Sequence, residues 1–165
     1  MQFYVRNKFF TLGGSSYVED DQKNRLFKVK GKFFSFTHKK KIYDMDGNLC
    51  YVVRDKFWRL FKTSTFIFDA EGNKIATLSN HDWDFKNKFV LTGGTDDITI
   101  SGNLFQFPNI KLQVVKNDKP IGYIIKEFNM FKDTFRVEVE DSEDAAFMVA
   151  LVISIDNIYD SRRRN

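Results

Sequence analysis

The 165-residue chain is 42% hydrophobic and 16% aromatic, with 19 Phe but only nine Gly and two Pro, a composition that excludes disordered and fibrous classes. Its length fits one domain, residues 1–165, able to bury a core without disulfides or metals. The formal charge of +4 is unevenly spread: residues 1–62 carry 14 Lys and Arg against 6 Asp and Glu, and residues 63–165 carry 12 against 16.

From the N-terminus, residues 1–20 contain Arg6, Lys8, Glu19 and Asp20 and lack the apolar centre of a signal peptide, while the lone Cys50 can form no internal bridge. Both features point to a reducing, cytoplasmic setting. The N-terminal two-fifths then repeats itself. Asn7-Lys8-Phe9-Phe10-Thr11-Leu12 returns as Gly31-Lys32-Phe33-Phe34-Ser35-Phe36 and as Asp55-Lys56-Phe57-Trp58-Arg59-Leu60, with a period of 24 residues. Between the boxes lie matching turn signals, Asp20 to Asn24, Asp44 to Asn48 and Asp69 to Asn73. Asp, Gly and Asn gather at such turns because Gly and Asn tolerate positive φ and an Asp side chain bonds its own backbone.

Around the turns the chain alternates as half-buried strands do, with Phe27, Val29 and Phe33 on one parity and Lys28, Lys30 and Lys32 on the other. The same period of two predicts strands at Phe3–Lys8, Leu26–Phe34, Lys41–Asp44, Leu49–Arg54, Ser64–Phe68, Lys74–Leu78, Phe85–Leu91, Asp97–Ser101, Ile110–Val115, Ile121–Lys126 and Thr134–Glu140. A twelfth is expected near Ser15–Asp20. The spacing is that of all-β folds.

The C-terminal stretch Asp144–Tyr159 differs from all of these. From Ala145 to Ile153 every residue is apolar, and Asp156 and Asn157 break the run. A helix apolar on every side must be enclosed on every side. At about 1.5 Å per residue it reaches roughly 24 Å, and a bilayer span needs about 20 apolar residues, so it reads as a core helix and not as a transmembrane span. Twelve strands enclose a lumen too wide for their own side chains, and a helix is a suitable filler. The predicted fold is therefore mainly β, a closed antiparallel barrel of about twelve strands around a central hydrophobic C-terminal helix. Asp141 is the expected N-cap, with Arg162, Arg163 and Arg164 trailing the other end.

The repeated Lys-Phe-Phe-Ser/Thr box, the Ile42-Tyr43-Asp44-x-Asp46-Gly47-Asn48 turn and the Ala145-to-Ile155 helix followed by Asp156 together resemble the LURP-one-related family of plant LURP-one and bacterial YxjI-like proteins. That family is placed in the superfamily of the tubby C-terminal domain and the phospholipid scramblases. The resemblance covers essentially the whole chain and implies the same tubby-like barrel around a hydrophobic helix. It also implies lipid contact by analogy, since tubby domains bind phosphoinositides through basic wall residues, but no tubby phosphate motif matches this chain residue by residue.

The sequence offers little for catalysis. His38, His81 and Cys50 lack zinc or redox spacing. Asp44, Asp46 and Asn48 copy the start of a calcium loop, yet Leu49 replaces the sharp-turn Gly and Asp55 stands at the twelfth place, so a hairpin turn explains them better. Ser15 and Ser16 lack a nucleophile elbow, and Gly93-Gly94-Thr95 lacks the lysine of a phosphate loop. The expectation is a non-enzymatic module without cofactor or metal. Basic and aromatic residues interleave, but strand alternation turns the Phe rings inward and the lysines outward, which argues against a nucleic-acid partner. The candidate ligand-binding residues are Lys28, Lys30, Lys32, Lys39, Lys40, Lys41, Arg54, Lys56 and Arg59, for an anionic phospholipid headgroup, a peripheral membrane surface or another phosphate-bearing ligand. The bland reading of each is a solvated strand face. The alternatives are a protein–protein interaction scaffold with an unknown partner and, less favoured, an enzyme; a monomer is expected.

Overall fold

The computed structural model describes residues 1–6, 15–31, 39–55, 64–81, 86–103, 109–127 and 134–163. These form twelve strands and one helix: β1 Gln2–Arg6, β2 Ser15–Glu19, β3 Arg25–Gly31, β4 Lys40–Tyr43, β5 Leu49–Asp55, β6 Ser64–Phe68, β7 Lys74–Asn80, β8 Lys86–Thr92, β9 Ile98–Asn103, β10 Asn109–Lys116, β11 Lys119–Glu127, β12 Thr134–Val139 and α1 Ala145–Arg163. Each strand runs antiparallel to the next, and β12 closes on β1 with Phe3 opposite Val137. Closure leaves no sheet edge to protect. The Lys-Phe-Phe boxes fall for the most part outside the described residues.

Three turns repeat one construction. In each, the backbone N–H of the Asp donates to the carbonyl of the Asn four residues on, at 3.0 Å for Asp20–Asn24, Asp44–Asn48 and Asp69–Asn73. The Asp carboxylate answers by accepting from the backbone and side-chain amide of the same Asn. These bonds, the Asn side chain's first, hold all three carboxyls below the usual carboxylate range. The fourth turn position needs positive φ, supplied by Gly47 and Gly72 at 92° but by Lys23 at 66°. The Asp44 loop is thus a hairpin turn, as the sequence indicated.

Each of these turns is followed by a bulge. Leu26, Cys50 and Ile75 are the extra residues in β3, β5 and β7, and Ile121 is the extra residue in β11. A bulge sharpens local twist at a barrel rim, and here it also lays Leu26, Cys50 and Ile75 against the core.

α1 fills the lumen. Val149, Ala150, Leu151, Val152, Ile155 and Ile158 are all fully buried. The helix runs closest to β5, followed by β6, β4 and β7. Larger buried side chains of the other strands complete the core, Phe3, Phe89, Leu112, Ile124 and Phe135 among them, with the Phe89 ring 5.8 Å from that of Tyr159. The N-cap is Asp144, whose carboxylate accepts from Phe147 N at 3.0 Å and from the Tyr51 hydroxyl at 2.6 Å. This corrects the expectation of Asp141, which instead binds the Met1 ammonium. Burial, followed by the Asp144 hydrogen bond, pushes the Tyr51 hydroxyl pKa well up.

Asp156 and Asn157 do not end the helix. They are buried at 4% exposure each because the wall supplies partners: Lys40 Nζ lies 3.6 Å from Asp156, and Asn157 Nδ2 donates to Asp55 at 2.9 Å. Ser154 donates within the helix to the Ala150 carbonyl at 2.7 Å. The arginine side chains of the C-terminal end lie outside the described residues.

Three stability outcomes follow. Leu151→Ala lowers unfolding free energy by about 2–5 kcal/mol, and Leu151→Asp abolishes cooperative folding, because an unpaired buried charge costs several kcal/mol out of the ~5–15 available. A sharp thermal transition for Leu151→Asp would contradict the enclosed helix. Lys23→Gly raises stability by about 0.5–1 kcal/mol in urea titration, because it relieves left-handed backbone strain.

Candidate anion-binding wall

Strand alternation decides which cations reach solvent, and register decides which of them meet. In β3, Val29 points inward and is 6% exposed, so Lys28 and Lys30 point outward. In β4, Ile42 points inward at 0% exposure, so Lys41 and Tyr43 point outward and Lys40 points inward. Pairing then sets Tyr43 opposite Lys28 and Lys41 opposite Lys30. Next along the wall, Val52 of β5 lies opposite Lys41, and Arg54 stands exposed two positions further on.

The six described candidates thus separate. Lys28, Lys30, Lys41 and Arg54 share the outer wall of β3–β5, and Lys39 is exposed just before β4. Lys40 is a correction: its ammonium serves Asp156 inside the barrel and is withdrawn from the wall. Three consecutive lysines cannot all face outward in a strand, and the middle one turns in. Lys32, Lys56 and Arg59 lie outside the described residues.

Lys30 opposite Lys41 is an unfavourable pairing, since like charges directly across an antiparallel ladder repel. Elsewhere cations meet carboxylates, as in Arg6–Glu19 at 2.8 Å, Lys116–Glu143 at 3.0 Å and Lys119–Glu140 at 3.1 Å. Lys28, Lys30 and Lys41 form no ion pair with any described residue. Lys28, Lys30 and Arg54 have aromatic neighbours instead. Lys28 lies 5.7 Å from the Tyr17 ring centroid, Lys30 5.0 Å from that of Tyr43, and the Arg54 guanidinium 5.0 Å from that of Phe68. Arg25 stacks over Tyr17 as well, at 4.0 Å. Such contacts favour a cation without neutralising it.

Against this wall sits a depression of about 270 Å³, lined by Tyr17, Lys28, Lys30, Tyr43 and the turn residues Asp44, Met45, Asp46 and Gly47. Tyr17, Tyr43, Met45 and Asp46 were not among the candidate ligand-binding residues, although Tyr43 and Asp46 belong to the turn motif that carries the family resemblance. The alternation of β2 and β4 is the signal that places both tyrosines outward, but their adjacency to Lys28 requires the register. Met45, 50% exposed, is the exposed large hydrophobic side chain among the described residues, which therefore form no extended apolar patch.

The other reactive groups are dispersed. His81 is exposed and donates its backbone N–H to Lys88 at 2.8 Å, while His38 lies outside the described residues. Burial, then Asp44, raises the pKa of the Cys50 thiol. No group of three or more His, Cys, Asp or Glu is assembled for a metal among the described residues. Nor is any helix among them long and apolar enough to cross a membrane.

A closed twelve-stranded antiparallel barrel with an apolar C-terminal helix in its lumen fits a binding module and is consistent with the tubby-like superfamily. The LURP-one-related family model matches residues 1–156, and the chain belongs to that family. No curated protein and no solved structure matches it.

Lys41→Thr removes the repulsion across from Lys30 and keeps a good strand former. It should raise stability by about 0.2–1 kcal/mol in low-salt buffer, with the gain shrinking toward ~1 M salt, where charges are screened beyond about 3 Å. A gain independent of salt would show that the charge pair is not its origin.

Proposed function

We propose that the protein is a non-catalytic binding module whose β3–β5 outer wall takes a phosphate-bearing ligand, foremost an anionic phospholipid headgroup at a membrane surface. The observation that carries this reading is Lys30 directly opposite Lys41, beside Lys28, with none of the three ion-paired to a described residue. Sites that must hold an anion commonly keep such repulsion, and the ligand relieves it. The buried helix cannot act as an anchor, so membrane contact rests on the wall.

Co-sedimentation with vesicles tests it. Phosphatidylcholine vesicles carrying phosphatidylglycerol should bind the protein at low salt and more weakly at physiological salt, while pure phosphatidylcholine should not. At roughly 1 kcal/mol per lysine near an anionic surface, the variant K28E/K30E/K41E should lose at least tenfold in partitioning with its thermal transition retained. Equal indifference to both vesicle types overturns the reading.

A further inference from the structure

The depression on the wall holds opposite charges apart. Lys28 and Lys30 line it from β3, and Asp46 lines it from the tip of the β4–β5 turn. None of the three pairs with another or with any described residue. Asp44, in the same lining, is already committed: its two oxygens accept from the Asn48 backbone at 2.8 Å and side chain at 2.8 Å. Those bonds fix the turn, so Asp46 is presented from a rigid element. A simple anion would satisfy the lysines and leave Asp46 as a repulsive neighbour. A ligand with a positive pole beside its negative one would engage both sides.

We infer that this depression recognises a phosphate ester of an amino alcohol, with the phosphate between Lys28 and Lys30 and a primary ammonium donating to Asp46. The inference rests on the phosphate-binding reading above and adds the second pole. Tyr17 and Tyr43 hold the two lysines in place through their rings, and the exposed Met45 offers an apolar contact for the short carbon link. A quaternary ammonium has no N–H to donate, so choline esters should be poorer ligands than ethanolamine esters.

Titration followed by amide chemical shifts compares O-phosphoethanolamine with glycerol 3-phosphate. The unsubstituted protein should bind the former about five- to tenfold more tightly. Asp46→Asn should erase that preference while leaving glycerol 3-phosphate binding equal or tighter, and K28A/K30A should weaken both esters at least tenfold. Vesicles of equal phosphatidylglycerol content, diluted with either phosphatidylethanolamine or phosphatidylcholine, separate the sources. Stronger binding to the ethanolamine vesicles, lost in Asp46→Asn, marks a lipid headgroup, and preference confined to the soluble ester marks a free metabolite. Equal affinity for the two esters, or a preference that survives in Asp46→Asn, overturns the amino-alcohol assignment while sparing the phosphate reading. Failure of both esters to shift any resonance of the depression overturns both.

Discussion

A helix without a polar face can exist in water only if something surrounds it, and the rest of this fold answers that requirement. Residues 146 and 148–158 of α1 are buried, and no two-layer arrangement covers a helix on all sides. A closed barrel does, and it removes sheet edges at the same time. The fit is asymmetric. The helix approaches the β4–β7 side, where Val53, Thr65 and Ala76 leave room, and Phe3 and Phe135 add bulk from β1 and β12.

Enclosure also explains the polar residues in the lumen. Asp156 and Asn157 would be costly there without partners, and Lys40 and Asp55 are the inward residues of β4 and β5 that meet them. At the other end Tyr51 binds the capping carboxylate of Asp144. The helix is therefore fastened to β4 and β5 near both ends, and those strands also carry Lys41 and Arg54 on their outer face. One strand pair serves the core with one parity of its residues and solvent with the other.

Division by parity sends one set of side chains to the lumen and the other to the outer wall. With the lumen filled, the wall is where charge gathers, and it does so around Lys28, Lys30 and Lys41 because β3 and β4 pair in the register that aligns them. The depression takes part of its lining from the β4–β5 turn, whose Asp44–Asn48 bonds and Gly47 set the position of Met45 and Asp46. The same turn chemistry recurs at Asp20 and Asp69, so the turn is a structural device used three times around the barrel.

The twelve strands, the terminal helix and the barrel that joins them were legible in the sequence, because period-two alternation, turn residues and an all-apolar run are local signals with local causes. The outward direction of Lys28 and Lys30 was legible for the same reason. Other features depended on choices between equivalent residues. Lys40 sits between Lys39 and Lys41, and its inward turn depends on where β4 begins. Asp141 and Asp144 are both good caps, and the path from β12 to the lumen, with the Met1 ammonium taking Asp141, left Asp144 to α1. The opposition of Lys30 to Lys41 and the gathering of Asp46 and Lys28 in the lining of one depression join residues of separate elements. The sequence by itself determined which residues form strands and which stretch must be buried. The tertiary structure decided which charges meet, because cross-strand register is set by closing the whole barrel around its helix and not by any one strand.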